Sequence, residues 1–172
     1  MSLKIIHTAD WHLGQTFFGY DRDEEHEAFL SWLIDILTLR QTDVLLIAGD
    51  VFDVANPSAA AQRRFFRFLR EANRHNPQLQ IVIIAGNHDS AARLEAPIPL
   101  LEELNTSIVG VVPRTDLCKI DFDSLLIPLY NKEGKREAIC LAVPYLRQGD
   151  YPASKEGKDT YVEGVTRMYR QL

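Results

Sequence analysis

Three short polar runs carry residue types that bind a cation or act on a phosphate: Asp10-Trp11-His12, Gly49-Asp50-Val51-Phe52-Asp53 and Gly86-Asn87-His88-Asp89. Carboxylate oxygens, an amide oxygen and imidazole nitrogens suit a hard or borderline divalent cation rather than a thiolate-preferring metal. Asp10 and His12 stand two apart, so extended backbone points both side chains the same way, onto one cation. A glycine before Asp50 and before Asn87 lets backbone and metal approach closely. Taken singly, each run is as readily turn or capping chemistry, and Asn87-His88-Asp89 also fits a loop that caps a short helix. Repetition at equivalent places lifts them above that.

Those places are strand ends. Lys4 to Thr8 is a short β-branched run that stops at Asp10. Val44 to Ala48 and Ile81 to Ala85 are apolar on both faces, as parallel strands covered by helices are, and each ends in glycine plus polar residues. Between them, Glu24 to Leu39 repeats Phe29, Leu33, Ile36 and Leu37 at helical spacing, with Asp23, Glu24, Glu25 and Glu27 crowding the first turn. A second helix is predicted from Asn56 as cap and Pro57 as first helical residue to about Asn73. In open α/β sheets, ligands gather beyond the carboxyl ends of the strands, where all three runs fall.

Beyond these, a short helix is read over Leu100 to Leu104 and a strand over Ile108 to Val112. Leu125 to Tyr130 and Ala138 to Val143 flank a glycine-containing loop as an antiparallel hairpin. After the polar stretch Gln148 to Asp159, Thr160 and Glu163 fit a capping box opening a last helix with Val165, Met168, Tyr169 and Leu172 on one face. The fold class is therefore α/β and layered, a mixed sheet with flanking helices.

The chain has 172 residues, 46% hydrophobic and 25% charged, room for one ordinary globular domain. The start, MSLKIIHTAD, turns polar too early for a signal-peptide core, and no long uncharged apolar run occurs, so the expectation is a cytoplasmic protein without a membrane segment. A formal charge of −5 argues against binding nucleic acid through bulk electrostatics and requires any such contact to be local. Cys118 and Cys140, in apolar surroundings without CxxC spacing, read as reduced, buried thiols.

The three runs resemble the first three motifs of the calcineurin-like metallophosphoesterases. The fuller strings HTADWHLGQ, EEHEAFLSWL, LLIAGDVFD, IIAGNHDS and VPYLR resemble, along most of the chain, the SbcD-type DNA nucleases within that superfamily. The resemblance implies that Asp10 and His12 bind a first metal, Asp50 bridges two, and Asn87 binds the second through its amide oxygen. His88 would face the phosphate, with Asp53 as the carboxylate orienting it. Two divalent ions are implied, manganese first, with magnesium or iron as alternatives. The implied activity is 3′-to-5′ exonuclease and hairpin-opening endonuclease cleavage at DNA ends, by a homodimer partnered with the SbcC ATPase in DNA repair, recombination and replication.

Family members carry three further histidines, one in a later strand-end motif and two in a GHxH motif. The five histidines here are His7, His12, His26, His75 and His88, and no GHxH string occurs. The sequence accordingly reads as residues 1–172 of a longer nuclease domain, expected by itself to bind metal weakly and cleave little. Two rival readings are a small-molecule phosphodiesterase or phosphatase and a non-catalytic dimerisation or binding fragment.

Other residues are set aside. His7 reads as a hydrogen-bonded core histidine, and His26 and His75 as solvated or structural. Arg63, Arg67, Arg70 and Arg74 align along one side of the second helix, as a solvated outer face or, less simply, a phosphate-tracking stripe. Trp11 and Phe52 read as walls excluding water. Gln15 to Arg22, with Tyr20, is a loop that could meet substrate.

Overall fold

The computed structural model describes residues 2–116, 119–152 and 160–172. Along the chain come β1 (Ile5–Thr8), the two-residue strands β2 (Thr16–Phe17) and β3 (Tyr20–Asp21), α1 (Asp23–Leu39), β4 (Val44–Ala48), α2 (Ala59–His75) and β5 (Gln80–Ile84). Then follow α3 (Ala91–Glu95), α4 (Ile98–Leu101), a 3-10 turn, β6 (Thr106–Val109), a second 3-10 turn, β7 (Leu126–Tyr130), β8 (Arg136–Leu141) and α5 (Tyr161–Gln171).

Four strands form a parallel sheet in the order β1-β4-β5-β6, so their carboxyl ends share one edge. Alternation along the strands divides the interior in two. Leu45, Ile47, Ile81, Ile83 and Ile108 face a core shared with α1 and α2. Val44, Val82 and Val109 face a second core containing Leu129, Ala142 and Met168, which belongs to the β7–β8 ribbon, the segment after it and α5. Burial on both faces explains why β4 and β5 lack polar alternation. The layered α/β fold thus stands, its parallel core strands covered by helices on one side and by an antiparallel ribbon on the other.

Several details differ from the sequence reading. The cap of α2 is Ser58, whose extended backbone lets its hydroxyl accept from the Ala61 N–H at 3.1 Å; Asn56 and Pro57 precede it. His7 is exposed, on a strand that pairs among the described residues with β4 alone. His26, in contrast, is buried under the α1–α2 packing. The loop Gln15 to Arg22 contains the small hairpin β2–β3, whose turn places Phe18 and Gly19 at φ 49° and 83°, the left-handed pair of a two-residue hairpin turn. The capping box at Thr160 and Glu163 forms as expected. Cys140 is a half-buried free thiol, its pKa pushed up by burial; Cys118 and most of the polar stretch before Thr160 lie outside the described residues. No helix among the described residues is long and apolar enough to cross a membrane.

Candidate metal centre

The sheet pairing continues past the strands. Asp10 N–H donates to the Gly49 carbonyl at 3.1 Å, His12 N–H to that of Asp50 at 2.9 Å and Leu13 N–H to that of Val51 at 2.9 Å, so the loops after β1 and β4 run side by side. Asp10, His12 and Asp50 all have left-handed backbone, at φ 56°, 46° and 49°. Such conformations cost about 1–3 kcal/mol each for residues with a side chain and persist where surrounding structure enforces them. Here the enforcing structure is the ladder of loop hydrogen bonds. This corrects the expectation of an extended Asp10-to-His12 stretch: a turn, and not strand parity, brings the two side chains together.

They do converge. His12 Nε2 lies 3.9 Å from Asp10 Oδ1 and 4.0 Å from Asp50 Oδ2, and one donor atom from each residue falls within 4.8 Å of the others. Donor atoms at such separations could share one cation. Asp50 is buried and Asp10 is largely exposed, so the floor of the site is fixed and its rim is open. Asn87 faces the same cleft, of about 360 Å³, as Asp10 and Asp50.

The two glycines are needed for a reason other than metal approach. A Cβ on Gly86 would sit 2.0 Å from Asp50 Oδ1, and one on Gly49 would sit 2.9 Å from the Gly86 Cα. The loops after β4 and β5 touch backbone to backbone, and that contact seats the Asp50 carboxylate, which also accepts from the His88 N–H at 2.9 Å.

His88 and Asp53 are neighbours, but not in the expected way. The His88 Nδ1 lies 2.7 Å from the main-chain carbonyl oxygen of Asp53, an acceptor only, so Nδ1 carries the proton and donates. The Asp53 carboxylate turns instead towards His12, with Oδ1 3.3 Å from Nδ1. Because one carbonyl already holds His88, the carboxylate is free to face the other ring. The two imidazoles meet edge to face, centroids 4.9 Å apart. The bond to the Asp53 carbonyl, reinforced by the fields of Asp50, Asp53 and Asp89, raises the His88 pKa above its ordinary value.

Asp89, read above only as part of a loop and cap, has a structural task. Its buried carboxylate accepts from Val51 N–H at 3.2 Å, Phe52 N–H at 3.0 Å and Gly86 N–H at 2.9 Å, stitching together the loops that carry Asp50 and Asn87. Beneath the site, Trp11 donates from Nε1 to Thr8 Oγ1 at 3.0 Å and packs edge-on against Phe29, Phe65 and Phe68. With Phe52 it forms an apolar floor, as expected. The arginine row on α2 is mostly paired: Arg67 with Glu27, and Arg70 and Arg74 with Glu71 at 2.8 and 3.2 Å. This is the solvated outer face. The neighbouring Arg64 is buried and ties α2 to Asp23 and Glu27 of α1.

A parallel sheet whose strand ends present two carboxylates, an imidazole and an amide on one side is the arrangement of a metal-dependent phosphoesterase. The signature of the calcineurin-like phosphoesterases matches residues 3–158, and the chain belongs to that family. It is similar to the SbcD component of the SbcCD nuclease of Rhodobacter capsulatus, 48% identical over 171 residues that cover 99% of this chain and 42% of the relative. The SbcD component of Escherichia coli is 35% identical over 178 residues (98% of this chain, 41% of the relative). That of Bacillus subtilis is 39% identical over 122 residues (71% and 31%). The chain spans about two fifths of the length of the first two. Divalent metal ions are the family's cofactors, and the donor set fits them: oxygen and imidazole ligands, mutually within reach, on strained and hydrogen-bonded loops.

Proposed function

We propose that this chain supplies the first part of the two-metal centre of a DNA nuclease of the SbcD type, a cytoplasmic enzyme that cleaves phosphodiesters. The observation that carries the proposal is the convergence of Asp10, His12 and Asp50 at the carboxyl ends of parallel strands, on backbone that is strained at all three. Asp10 and His12 would hold one divalent cation, Asp50 would serve both, and Asn87 would hold the other. Manganese is the favoured ion, with magnesium or iron as alternatives. A pair of such ions supplies water activation and stabilisation of charge at phosphorus.

The protein groups do the rest. Asp50, fixed by the His88 N–H and by the contact with Gly86, offers its second carboxylate oxygen to the site. The His12 ring lies between Asp10 and Asp50 on one side and the Asp53 carboxylate on the other, with its Nε2 towards the site. A carboxylate behind a ligating imidazole orients the ring and increases its basicity. His88 uses Nδ1–H on the Asp53 carbonyl, which leaves Nε2 to donate to a phosphate oxygen and to protonate a leaving oxygen. Asp53 therefore positions His88 through its carbonyl, while its carboxylate lies 3.3 Å from the His12 ring. Trp11 and Phe52 seal the floor against water.

By resemblance, the whole protein would act as a 3′-to-5′ exonuclease and hairpin endonuclease at DNA ends, as a homodimer working with the SbcC ATPase in DNA repair, recombination and replication. The test is manganese-dependent hydrolysis of end-labelled duplex and hairpin DNA by the full-length protein, wild type against Asp50→Asn and His88→Ala. The proposal requires DNA cleavage that both substitutions reduce by about 100-fold or more. Hydrolysis of nucleotide monoesters with none of DNA would instead favour a small-molecule phosphatase.

A further inference from the structure

The cleft beside Asp10, Asp50 and Asn87 has a second wall of different chemistry, formed by Tyr145, Tyr161 and Tyr169. Their side chains stay 46%, 49% and 53% exposed. One exposed tyrosine is ordinary, but three facing one polar cleft are surplus to the core, which closes with Val143, Leu146 and Met168. At about 360 Å³ the cleft is at the small end of ligand sites, the scale of a single nucleotide unit.

Tyr145 is the best placed of the three. Its N–H donates to the Ala85 carbonyl at 2.9 Å, the residue just before Gly86-Asn87, so the root of its side chain is fixed relative to the Asn87 ligand. Pro144 before it restricts the backbone, and Val143 and Leu146 on either side are buried anchors. Tyr161 spends its hydroxyl on the Leu146 carbonyl at 3.1 Å and leans edge-on against Tyr151, bracing the segment. Among the described residues, no hydrogen bond occupies the Tyr145 hydroxyl, and the half-exposed residue lines the cleft. A rigidly rooted, half-exposed aromatic ring beside a phosphate-sized polar site is the geometry of a stacking platform.

We propose that Tyr145 stacks on the nucleobase of the nucleotide whose phosphate is presented to Asp10, Asp50 and Asn87, and so makes the cleft selective for nucleotides over bare phosphodiesters. This rests on the phosphodiesterase reading of the same site. Because every base has a π-face, the contact confers preference for a base without preference for a sequence.

The test is equilibrium binding of a short single-stranded oligonucleotide to the full-length protein with manganese, the terminal linkages being phosphorothioate so that hydrolysis is slowed. The oligonucleotide carries a fluorescent purine analogue at its terminal position, and a matched one is abasic there. Wild type should quench the analogue and bind it about 10-fold more tightly than the abasic strand. Tyr145→Ala should abolish both the preference and the quenching, while Tyr145→Phe keeps both, since the ring and not the hydroxyl is at work. Tyr145→Leu, which preserves bulk without an aromatic plane, should behave as Tyr145→Ala and guards against a folding defect in the smaller variant. Equal binding of the two strands by wild type, or quenching that survives Tyr145→Ala, would overturn the proposal. Loss in Tyr145→Phe equal to that in Tyr145→Ala would overturn it too. Failure of the phosphodiesterase reading looks different: base-dependent binding persists, yet manganese produces no Asp50-dependent cleavage.

Discussion

Removing the Asp89 carboxylate should unfasten the two loops that carry Asp50 and Asn87. Oδ2 accepts from Val51 and Gly86 and Oδ1 from Phe52, and Val51, Phe52 and Asp89 are all buried. Hydrogen bonds to a charged acceptor contribute about 1.5–3 kcal/mol each, and a buried N–H left without a partner costs about 1–3 kcal/mol. Three bonds on one carboxylate share their loss, so Asp89→Ala should destabilise the fold by about 3–5 kcal/mol rather than by the full sum. Asp89→Asn keeps one oxygen. If that oxygen serves Val51 and Gly86, the new amide meets the Phe52 N–H donor to donor, and the loss should be about 2 kcal/mol. Urea unfolding gives these values as midpoint shifts at constant slope, and amide exchange at Val51, Phe52 and Gly86 localises them. An alanine variant within about 1 kcal/mol of wild type, with those three amides still protected, would refute the reasoning.

Further outcomes follow from other contacts. Gly86→Ala places a Cβ against the Asp50 carboxylate and backbone, neither of which can withdraw; stability should fall by about 1–3 kcal/mol, and calorimetry should show cation binding lost with it. Gly164→Ala in α5 meets the Tyr151 ring at 2.1 Å, so it should lower the melting temperature in the native background and become neutral or favourable with Tyr151→Leu. Burial, reinforced by Arg22 and Arg64 and opposed by Asp23 and Glu25, lowers the His26 pKa below 6.5. Above that pH both folded and unfolded chains hold a neutral ring. As the pH falls from 6.5 through the lowered folded value, the unfolded chain gains a proton that the folded one refuses, and stability is lost. An NMR titration of His26 with a midpoint above 6.5 would contradict this.

Much of the fold was legible because both faces of the central strands are buried. Val44 to Ala48 has no polar residue to misplace, and its bounds as a strand are those the sequence suggests. The capping box at Thr160 was equally clear, since it is a local device whose two partners are three residues apart. The candidate site was legible in membership, because carboxylate, imidazole and amide recur after successive strands. Its geometry was not. The left-handed turns at Asp10, His12 and Asp50 are imposed by hydrogen bonds between loops distant in sequence, which no local preference reports. The task of Asp89 depends on three N–H groups, two of them nearly forty residues away. Likewise, the Asp53 carbonyl serving His88 was invisible to a reading that looks for partners among side chains. The exposure of His7 was not legible, because strand order, which leaves β1 paired on one side among the described residues, is not written in the strand itself.

The direct test of the central claim is to titrate manganese into isotope-labelled protein and map the paramagnetic broadening of its amide signals. Broadening should centre on residues 10–12, 50–53 and 86–88 as manganese is added and disappear from those positions in Asp50→Asn. Broadening spread evenly over the acidic surface, or centred elsewhere and unchanged by that substitution, would show that these strand ends do not form a metal site.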